Sequence, residues 1–312
     1  DLAQQFLDRL LAFTAVKPAP DLVIWPETAL PYLLDRHPEL AGIIADAGNG
    51  ALVAVGMQRV AGARGWNNLS VFGPDALPLA SYDKHHLVPF GEYIPFGDAL
   101  FTALDISAFA SSEGNGYSAG VGPRLLDLGA KLGRVLPLIC YEAVFPQDLR
   151  GTERPDWLLQ ITNDAWFGTQ SGPFQHAAQA RLRAIEQGLP LVRVANTGVT
   201  AVYDARGRVT ASLDFGTAAY LDAVLPAALP ATIYARWGEV PVAFVTRSDD
   251  TLTPEAVRAA CEGKIARYKF PKSVVFIALD EFPRSTTGKV KRHELETRLG
   301  EAQGDVQGAA HG

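Results

Sequence analysis

The sequence has little cysteine and no long apolar run. Only two cysteines, Cys140 and Cys261, occur among its 312 residues, and this excludes a disulfide framework. Any core must therefore be stabilised by apolar burial. No stretch approaches the roughly 18 consecutive apolar residues of a membrane-spanning helix. The start also carries Asp1 and Asp8 where a signal peptide has positive charge, so the chain as written is expected to be soluble.

An excess of basic residues is also lacking. The chain has 28 Lys and Arg against 34 Asp and Glu, a formal charge of −6, and so has no electrostatic footprint for nucleic acid. With 48% apolar and 20% charged residues, the composition is that of a soluble globular protein rather than a disordered chain, a collagen or a coiled coil. The 29 glycines and 21 prolines predict many turns and short elements.

The chain begins without Met and within a helical pattern. Apolar residues recur near the helical period from Leu2 to Phe13, with polar residues between them. We therefore expect a fragment whose natural start is missing.

Short apolar runs alternate with polar linkers and helical patterns from Asp21 onward. Several runs are apolar at nearly every position, as in strands covered on both faces. Helices are predicted over 38–47 and 173–188, and a hairpin over 204–209. A layered α/β domain follows from this pattern. The predicted strands are 21–25, 51–58, 67–73, 135–141, 157–163, 191–196 and 199–204.

The pattern changes after about residue 237. Strands are predicted over 240–247 and 273–279, and a helix over 253–268 with Thr253 as its N-cap. The last residues, 300–312, have almost no apolar bulk and are expected to be disordered.

Three polar residues directly follow strand-like runs, where layered α/β folds collect their active groups. They are Glu27, Lys84 and Cys140. A thiolate nucleophile, a general base and a cation for the oxyanion would suffice for acyl transfer. The alternatives are a small buried hydrophobe for Cys140, a helix N-terminal acid for Glu27 and a solvated loop charge for Lys84.

Other polar residues give weaker signals. His85, His86 and His176 lack metal-ligand spacing with carboxylates, so no metal and no other cofactor is expected. Asn163, Asp164 and Asn196 end strand-like runs, and we interpret them mainly as groups that satisfy the backbone at the rim, with substrate contact as the alternative.

Five motifs, in this order and with these separations, resemble the nitrilase superfamily and, within it, the apolipoprotein N-acyltransferase family. They are WPETALP, KHHLVPFGEYIP, ICYEAVFP, ITNDAWFG and RLRAIEQGLPLVRVANTGVTAV. The resemblance covers about residues 1–238. It implies a nitrilase-like α-β-β-α sandwich that is truncated at its N-terminus.

The resemblance also implies a role for each matching residue. Glu27 would be the general base, Lys84 the oxyanion-stabilising lysine and Cys140 the nucleophile. A lysine ammonium near the thiol would stabilise its thiolate. Supporting roles fall on Glu92, which would hold the lysine and the base, and on three residues that would shape the site around the thiol: Trp25, Tyr141 and Glu142.

The implied activity is lipoprotein N-acylation. An acyl chain would move from a phospholipid, through a Cys140 thioester, to the α-amine of a diacylglyceryl-cysteine lipoprotein. The family implies a bacterial inner membrane, at its periplasmic face, and a membrane surface as partner. The segment 98–120 is expected to be a lid over the lipid, or else a short helix packed on the domain. The alternative function is a soluble amidase of the nitrilase superfamily.

Residues 239–299 resemble the C-terminal end of adenylate-forming acyl-CoA synthetases. The match includes PRSTTGKV, in which Lys289 corresponds to the lysine that closes over the acyl phosphate. The expectation is a truncated α+β module, joined to the first domain at a seam over 236–242. A third hypothesis is therefore a noncatalytic adenylate-ligase fragment.

Overall fold

The structure is a computed structural model. It describes residues 2–93, 116–238, 242–246, 251–265, 270–285, 290–291 and 294–295. The chain divides into two units, Asp1–Thr232 and Ile233–Gly312. The predicted boundary at residue 238 stays a prediction.

A four-stranded sheet forms one half of the first unit. Its strands lie in sequence order, with β1 parallel to β2 and the other neighbours antiparallel. The β2–β3 hairpin turns at Gly62, where φ is +60°, a conformation that glycine adopts without steric cost. The strands are β1 (Leu22–Ile24), β2 (Leu52–Ala61), β3 (Arg64–Phe72) and β4 (Pro78–Asp83).

A six-stranded sheet forms the other half, in the order β10-β9-β8-β7-β6-β5. The central strands β6, β7 and β8 are parallel, and the outer pairs are antiparallel. The predicted hairpin near residue 204 is confirmed as β9–β10. The strands are β5 (Leu126–Asp127), β6 (Arg134–Ile139), β7 (Trp157–Asn163), β8 (Leu191–Asn196), β9 (Ala201–Tyr203) and β10 (Val209–Ser212).

The two sheets pack face to face and are covered by helices on their outer faces. The inner cluster joins Leu69 and Val71 of the first sheet to Ile139 and Ile161 of the second. The outer face of the first sheet packs against α1 (Leu2–Thr14) and α2 (Glu39–Gly48). That of the second packs against α3 (Gly172–Gln187). The predicted α-β-β-α sandwich is confirmed.

Some boundaries differ from the sequence prediction. Strands β4 and β5 were not predicted, because β4 carries polar Ser81 and Asp83 and β5 has only two residues. The strand predicted over 135–141 ends at Ile139, and a 3₁₀ helix, Cys140–Val144, follows it. Two further 3₁₀ helices are Asp148–Arg150 and Asp164–Phe167.

The second unit contains a two-stranded parallel sheet of β11 (Val242–Val245) and β12 (Ser273–Phe276), with helices α4 (Ile233–Trp237) and α5 (Pro254–Cys261). The Thr253 hydroxyl accepts a hydrogen bond from the Ala256 amide, which confirms the predicted N-cap. Helix α5 is shorter than the predicted 253–268, because it ends at Cys261, shortly before Gly263 with φ +69°. The expected disordered tail, 300–312, lies outside the described residues.

Among the described residues, none of the helices has the length and apolar character that a membrane span requires.

We predict that the two units behave separately, because we expect few apolar contacts to cross residue 238. Limited proteolysis should cut first at residues 236–239 or after residue 300, since weakly packed boundaries open at little free-energy cost. A chain without residues 240–312 should keep the alkylation rate of Cys140 in the whole chain. Unfolding of the first unit on this truncation, followed by circular dichroism, would contradict the boundary.

Candidate active site

Glu27 is positioned by a close approach of two backbone segments. It follows β1 in a loop that passes over Gly56 of β2. A Cβ atom at position 56 would lie only 2.0 Å from the Pro26 carbonyl oxygen, so only glycine fits there. The Gly56 carbonyl also accepts hydrogen bonds from the amides of Ala29 and Leu30. These backbone contacts, before and after Glu27, fix the loop that carries its carboxyl group.

The Lys84 ammonium lies between two carboxylates. Its Nζ atom is 2.8 Å from Oε2 of Glu92 and 3.7 Å from Oε1 of Glu27, and the lysine side chain is 1% exposed. The Asn67 amide nitrogen donates to both acids, over 2.6 Å to Glu27 and 3.0 Å to Glu92. We call Glu27, Lys84, Glu92 and Asn67 the charge cluster. It is a buried ionic arrangement in which each charged group has a partner.

The charge cluster bridges the two sheets. Glu27 comes from the four-stranded sheet, and its Oε2 atom accepts a hydrogen bond of 2.6 Å from the Asn163 amide at the end of β7. Burial raises the pKa of Glu27, although Lys84 and Asn67 oppose this. Burial by itself would lower the pKa of Lys84, but the negative charges near it raise the pKa overall. The lysine therefore stays charged, and the carboxyl group is a stronger base than usual.

Cys140 stands at the junction of β6 and the 3₁₀ helix with φ +53°. This conformation is uncommon for a residue other than glycine and marks functional sites. Burial and the nearby Glu27 charge raise the pKa of the thiol to about 12, and Lys84 only partly offsets them. Lys84 therefore favours the thiolate as expected, but burial and Glu27 outweigh it and the pKa is raised overall. Activation requires a base to remove the proton.

A buried polar network holds the backbone of Cys140. Its carbonyl accepts hydrogen bonds from Gln160 over 3.0 Å and from His176 Nε2 over 3.1 Å. His176 Nδ1 lies 2.9 Å from the Asp164 carboxylate. Arg193 pairs with Asp164 and donates to Gln160. The network fixes the strained turn, as a buried array with satisfied partners can.

Glu142 is a second fully buried carboxylate. Its Oε2 atom accepts from the Ile139 amide over 2.7 Å, and Oε1 accepts from the Tyr82 hydroxyl over 2.9 Å and from the His85 amide over 2.8 Å. It therefore joins the start of the 3₁₀ helix to the segment after Lys84. We infer that Glu142 shapes the site through the backbone.

The other two supporting residues form no hydrogen bond or ion pair with the charge cluster in the part of the chain that the structure describes. Tyr141 packs edge-on against Phe145, with ring centroids 4.9 Å apart. Trp25 is 2% exposed and lies in the outer cluster under α1, where its indole nitrogen donates to Thr14 over 2.8 Å. The role of Trp25 in shaping the site around the thiol stays a prediction. Successive strand residues face opposite sides, and Ile24 already faces the inner cluster.

His85, His86 and Asp148 form a group that could hold a metal ion. One ligand atom of each lies within 4.8 Å of the others, and His85 Nε2 is 3.0 Å from the Asp148 carboxylate. The sequence spacing gives no sign of this group, and the expectation that no metal is needed stays a prediction. Asp148 is remote in sequence, so linear spacing could not reveal it. Glu142 lies 2.6 Å from His85 Nδ1, which orients the ring.

Sequence reasoning missed Asn67 and underestimated Asp164. Asn67 ends no apolar run, because it stands inside NNLSVFG, and only the fold directs its amide at two acids. Asp164 is completely buried and paired rather than placed at the rim. Asn163 contributes its backbone amide to Glu27, whereas Asn196 is exposed. Most of the predicted lid, residues 98–115, and Lys289 lie outside the described residues.

Comparison with known proteins identifies the family. The carbon-nitrogen hydrolase family profile matches residues 2–234. This chain belongs to the carbon-nitrogen hydrolase family. The C-terminal domain profile of AMP-binding enzymes matches residues 221–289, in agreement with the resemblance of the second part.

The most similar relatives include three bacterial proteins named apolipoprotein N-acyltransferase. The Bradyrhizobium diazoefficiens protein is 46% identical over 72% of this chain and 43% of its own length. The Rhodopseudomonas palustris protein is 45% identical over 72% of this chain and 43% of its own length. The Rhizobium meliloti protein is 44% identical over 68% of this chain and 41% of its own length. The chain thus spans less than half the length of these relatives.

Two solved structures share the fold. An amidase from Nesterenkonia sp. matches with a TM-score of 0.52 at 19% identity, over 68% of this chain and 81% of that one. A variant of the Nesterenkonia AN1 amidase carries the acetamide moiety of fluoroacetamide on its active-site cysteine. It matches with a TM-score of 0.51 at 19% identity, over 68% of this chain and 81% of that one.

The raised thiol pKa predicts an unusual pH dependence of alkylation. In a Cys261→Ala chain, the rate of Cys140 alkylation by iodoacetamide should rise about tenfold per pH unit up to pH 10, because the thiolate fraction grows with pH below the pKa. Mass spectrometry of the carbamidomethyl adduct measures the rate. For the same chain unfolded in urea, the alkylation rate should level off above about pH 9. A plateau near pH 7 in the folded chain would contradict the raised pKa.

The buried network predicts a stability cost for Asp164→Asn. Burial opposes ionisation, but His176 and Arg193 outweigh it and lower the pKa of Asp164. Its contribution to stability is therefore present at neutral pH and is lost as pH falls through the folded-state pKa. At pH 7 the substitution should reduce the free energy of unfolding by about 3 kcal/mol, since it leaves Arg193 unpaired. Urea denaturation measures this loss.

The control is Glu153→Gln, which removes the exposed partner of Arg134. It should change the free energy of unfolding by less than about 1 kcal/mol. Equal effects of the two substitutions would show that the network adds no more than a surface ion pair.

Proposed function

We propose that this chain carries the catalytic site of a lipoprotein N-acyltransferase, with Cys140 as nucleophile, Glu27 as general base and Lys84 as oxyanion-stabilising cation. The observation that carries the proposal is the buried charge cluster next to a thiol that needs a base. Glu27 and Lys84 each affect the pKa of Cys140. The relatives named apolipoprotein N-acyltransferase support the substrate class.

In the first half-reaction, Glu27 removes the thiol proton while the sulfur attacks the ester carbonyl of a phospholipid. The tetrahedral oxyanion is stabilised by the Lys84 ammonium. When the intermediate collapses, the carbon–oxygen bond breaks and the protonated Glu27 gives its proton to the departing alkoxide. The products are a Cys140 thioester and a lysophospholipid.

In the second half-reaction, the neutral α-amine of a diacylglyceryl-cysteine attacks the thioester carbonyl. Glu27 accepts a proton from the amine, Lys84 again stabilises the oxyanion, and the sulfur leaves to be reprotonated by Glu27. Glu92 and Asn67 act as positioning residues, since they touch the lysine and the base. The resemblance to the apolipoprotein N-acyltransferase family implies the periplasmic face of the bacterial inner membrane as the working location.

Two other functions predict different experimental results. In an amidase, water would deacylate the same thioester; the amidases among the fold relatives make this the second candidate. If only the second unit acted, as an adenylate-ligase fragment, Lys289→Ala would abolish activity and Cys140→Ala would not.

The nucleophile assignment predicts one acylation site. After incubation with phospholipid, intact-mass spectrometry should detect a hydroxylamine-labile acyl adduct on the wild-type chain and on Cys261→Ala, and none on Cys140→Ala. Cys261 is the matched control, because it belongs to the second unit. Labelling that persists in Cys140→Ala would refute the assignment.

The base and the cation should be separately essential. Glu27→Gln removes proton transfer and Lys84→Met removes the oxyanion charge, so each should slow adduct formation by about 10²-fold or more. The controls Glu153→Gln and Lys131→Met change exposed groups of the same type and should have no effect. Acylation by Lys84→Met at nearly the wild-type rate would reduce this lysine to a structural charge.

A further inference from the structure

A cluster of metal-ligand side chains lies outside the charge cluster. His85 and His86 follow β4, and Asp148 begins the 3₁₀ helix Asp148–Arg150. One ligand atom of each residue lies within 4.8 Å of the other two, and no other such group of His, Cys, Asp and Glu occurs among the residues that the structure describes. We call these three side chains the histidine group.

The surroundings of His85 decide which of its ring nitrogens carries the proton. Its Nδ1 atom lies 2.6 Å from Oε1 of Glu142 and 2.8 Å from the hydroxyl oxygen of Tyr82. That hydroxyl donates its own hydrogen to Glu142 over 2.9 Å, so both neighbours of Nδ1 accept a hydrogen bond. Nδ1 therefore carries the proton, and the neutral ring has its lone pair on Nε2. A carboxylate on one ring nitrogen is the usual partner of a histidine that binds metal through the other.

The Nε2 lone pair of His85 faces a carboxylate. Oδ2 of Asp148 lies 3.0 Å from this nitrogen. A neutral ring would point its lone pair at a negatively charged oxygen, which is repulsive unless a cation lies between the two atoms. Either a second proton on His85 or a metal ion supplies that cation.

The position of His86 favours the metal ion. Its Nδ1 atom is buried and has no hydrogen-bond partner among the described residues, although Oδ2 of Asp148 lies only 2.6 Å away. The distance is short enough for a hydrogen bond, but the direction is not that of one. A proton on His85 would leave His86 Nδ1 unpaired, whereas a metal ion binds both nitrogens and the carboxylate oxygen. Stacking on Phe145, with ring centroids 3.9 Å apart, fixes the plane of the His86 ring.

The three ligand types indicate which metal fits. Two imidazole nitrogens and one carboxylate oxygen suit Zn²⁺, which is usually four-coordinate and takes water where the protein supplies three ligands. Mg²⁺ and Ca²⁺ require shells of oxygen ligands, and the histidine group offers one carboxylate. The His86 side chain is 37% exposed, so an ion and its water have access from solvent.

We propose that the histidine group is a Zn²⁺ site that ties the loop after Lys84 to the 3₁₀ helix beginning at Asp148. The loop follows β4 of the first sheet, and this helix comes after β6 of the second, so the ion joins chain segments from both sheets. The ion takes no part in acyl transfer. The proposal is therefore independent of the proposed function, and either can fail alone.

The test uses the full chain with Cys140→Ala and Cys261→Ala, because free thiols would also bind zinc. After dialysis against EDTA, calorimetric titration with zinc chloride in an excess of Mg²⁺ should show one ion bound per chain. X-ray absorption at the zinc edge should show two imidazole nitrogens at about 2.0–2.1 Å. Absence of binding, or a bound ion without imidazole ligands, would overturn the proposal.

The decisive variants are Asp148→Asn and His86→Gln. The first removes the carboxylate charge at constant size, and the second removes a ring that is partly exposed, so circular dichroism should show an intact fold. Each should weaken zinc binding at least about tenfold. The control is His37→Gln, which removes an exposed histidine beside Glu39 and should bind zinc as the parent does. Parent-like affinity in His86→Gln would overturn the site, even if Asp148→Asn does not fold.

Thermal unfolding separates the metal ion from a proton on His85. An ion that binds only the folded chain stabilises it, so zinc should raise the unfolding midpoint of the parent and of His37→Gln, and should leave that of His86→Gln unchanged. If a proton alone lies between His85 and Asp148, zinc will shift none of these midpoints, and this result would contradict the proposal.

Discussion

The site depends on one interaction, the pairing of the buried Lys84 ammonium with Glu27 and Glu92. A lysine this deeply buried would lose its proton if it stood alone. With carboxylate oxygens at 2.8 and 3.7 Å it keeps its charge. The same contact makes the pKa of Glu27 a balance between burial, which raises it, and the lysine, which lowers it. A permanent cation and a competent base are thus produced by the same three side chains.

This interaction requires the complete sandwich. Glu27 and Lys84 follow strands of one sheet, whereas Cys140 and the Asn163 amide belong to the other. Packing of the sheets therefore assembles the site, and the inner apolar cluster supplies the energy that holds the charges out of water. Cys140, the proposed nucleophile, stands at a strained turn, and its carbonyl is fixed by Gln160 and His176. These two hydrogen-bond donors therefore fix the position of the thiol.

The sequence predicts the outline of this arrangement but not its details. Apolar runs locate β6, β7 and β8, since strands covered on both faces have an unmistakable pattern. It does not locate β4, whose outward face is polar, although Lys84 depends on it. The sequence also does not reveal the contacts of Asn67 and Asp148, because their partners are distant in the chain. The sequence does not reveal the raised thiol pKa either, because this pKa depends on burial, which sequence motifs do not show.

The central claim, that the thioester is transferred to an amine, is tested most directly by its partitioning. The acylated full chain is isolated and mixed with a diacylglyceryl-cysteine peptide, and thioester loss is followed by intact-mass spectrometry. The account predicts that the rate of loss rises with peptide concentration and that the product is the N-acyl peptide. Loss at one rate with or without peptide, with release of the free fatty acid, would show that water is the acceptor and would contradict the account.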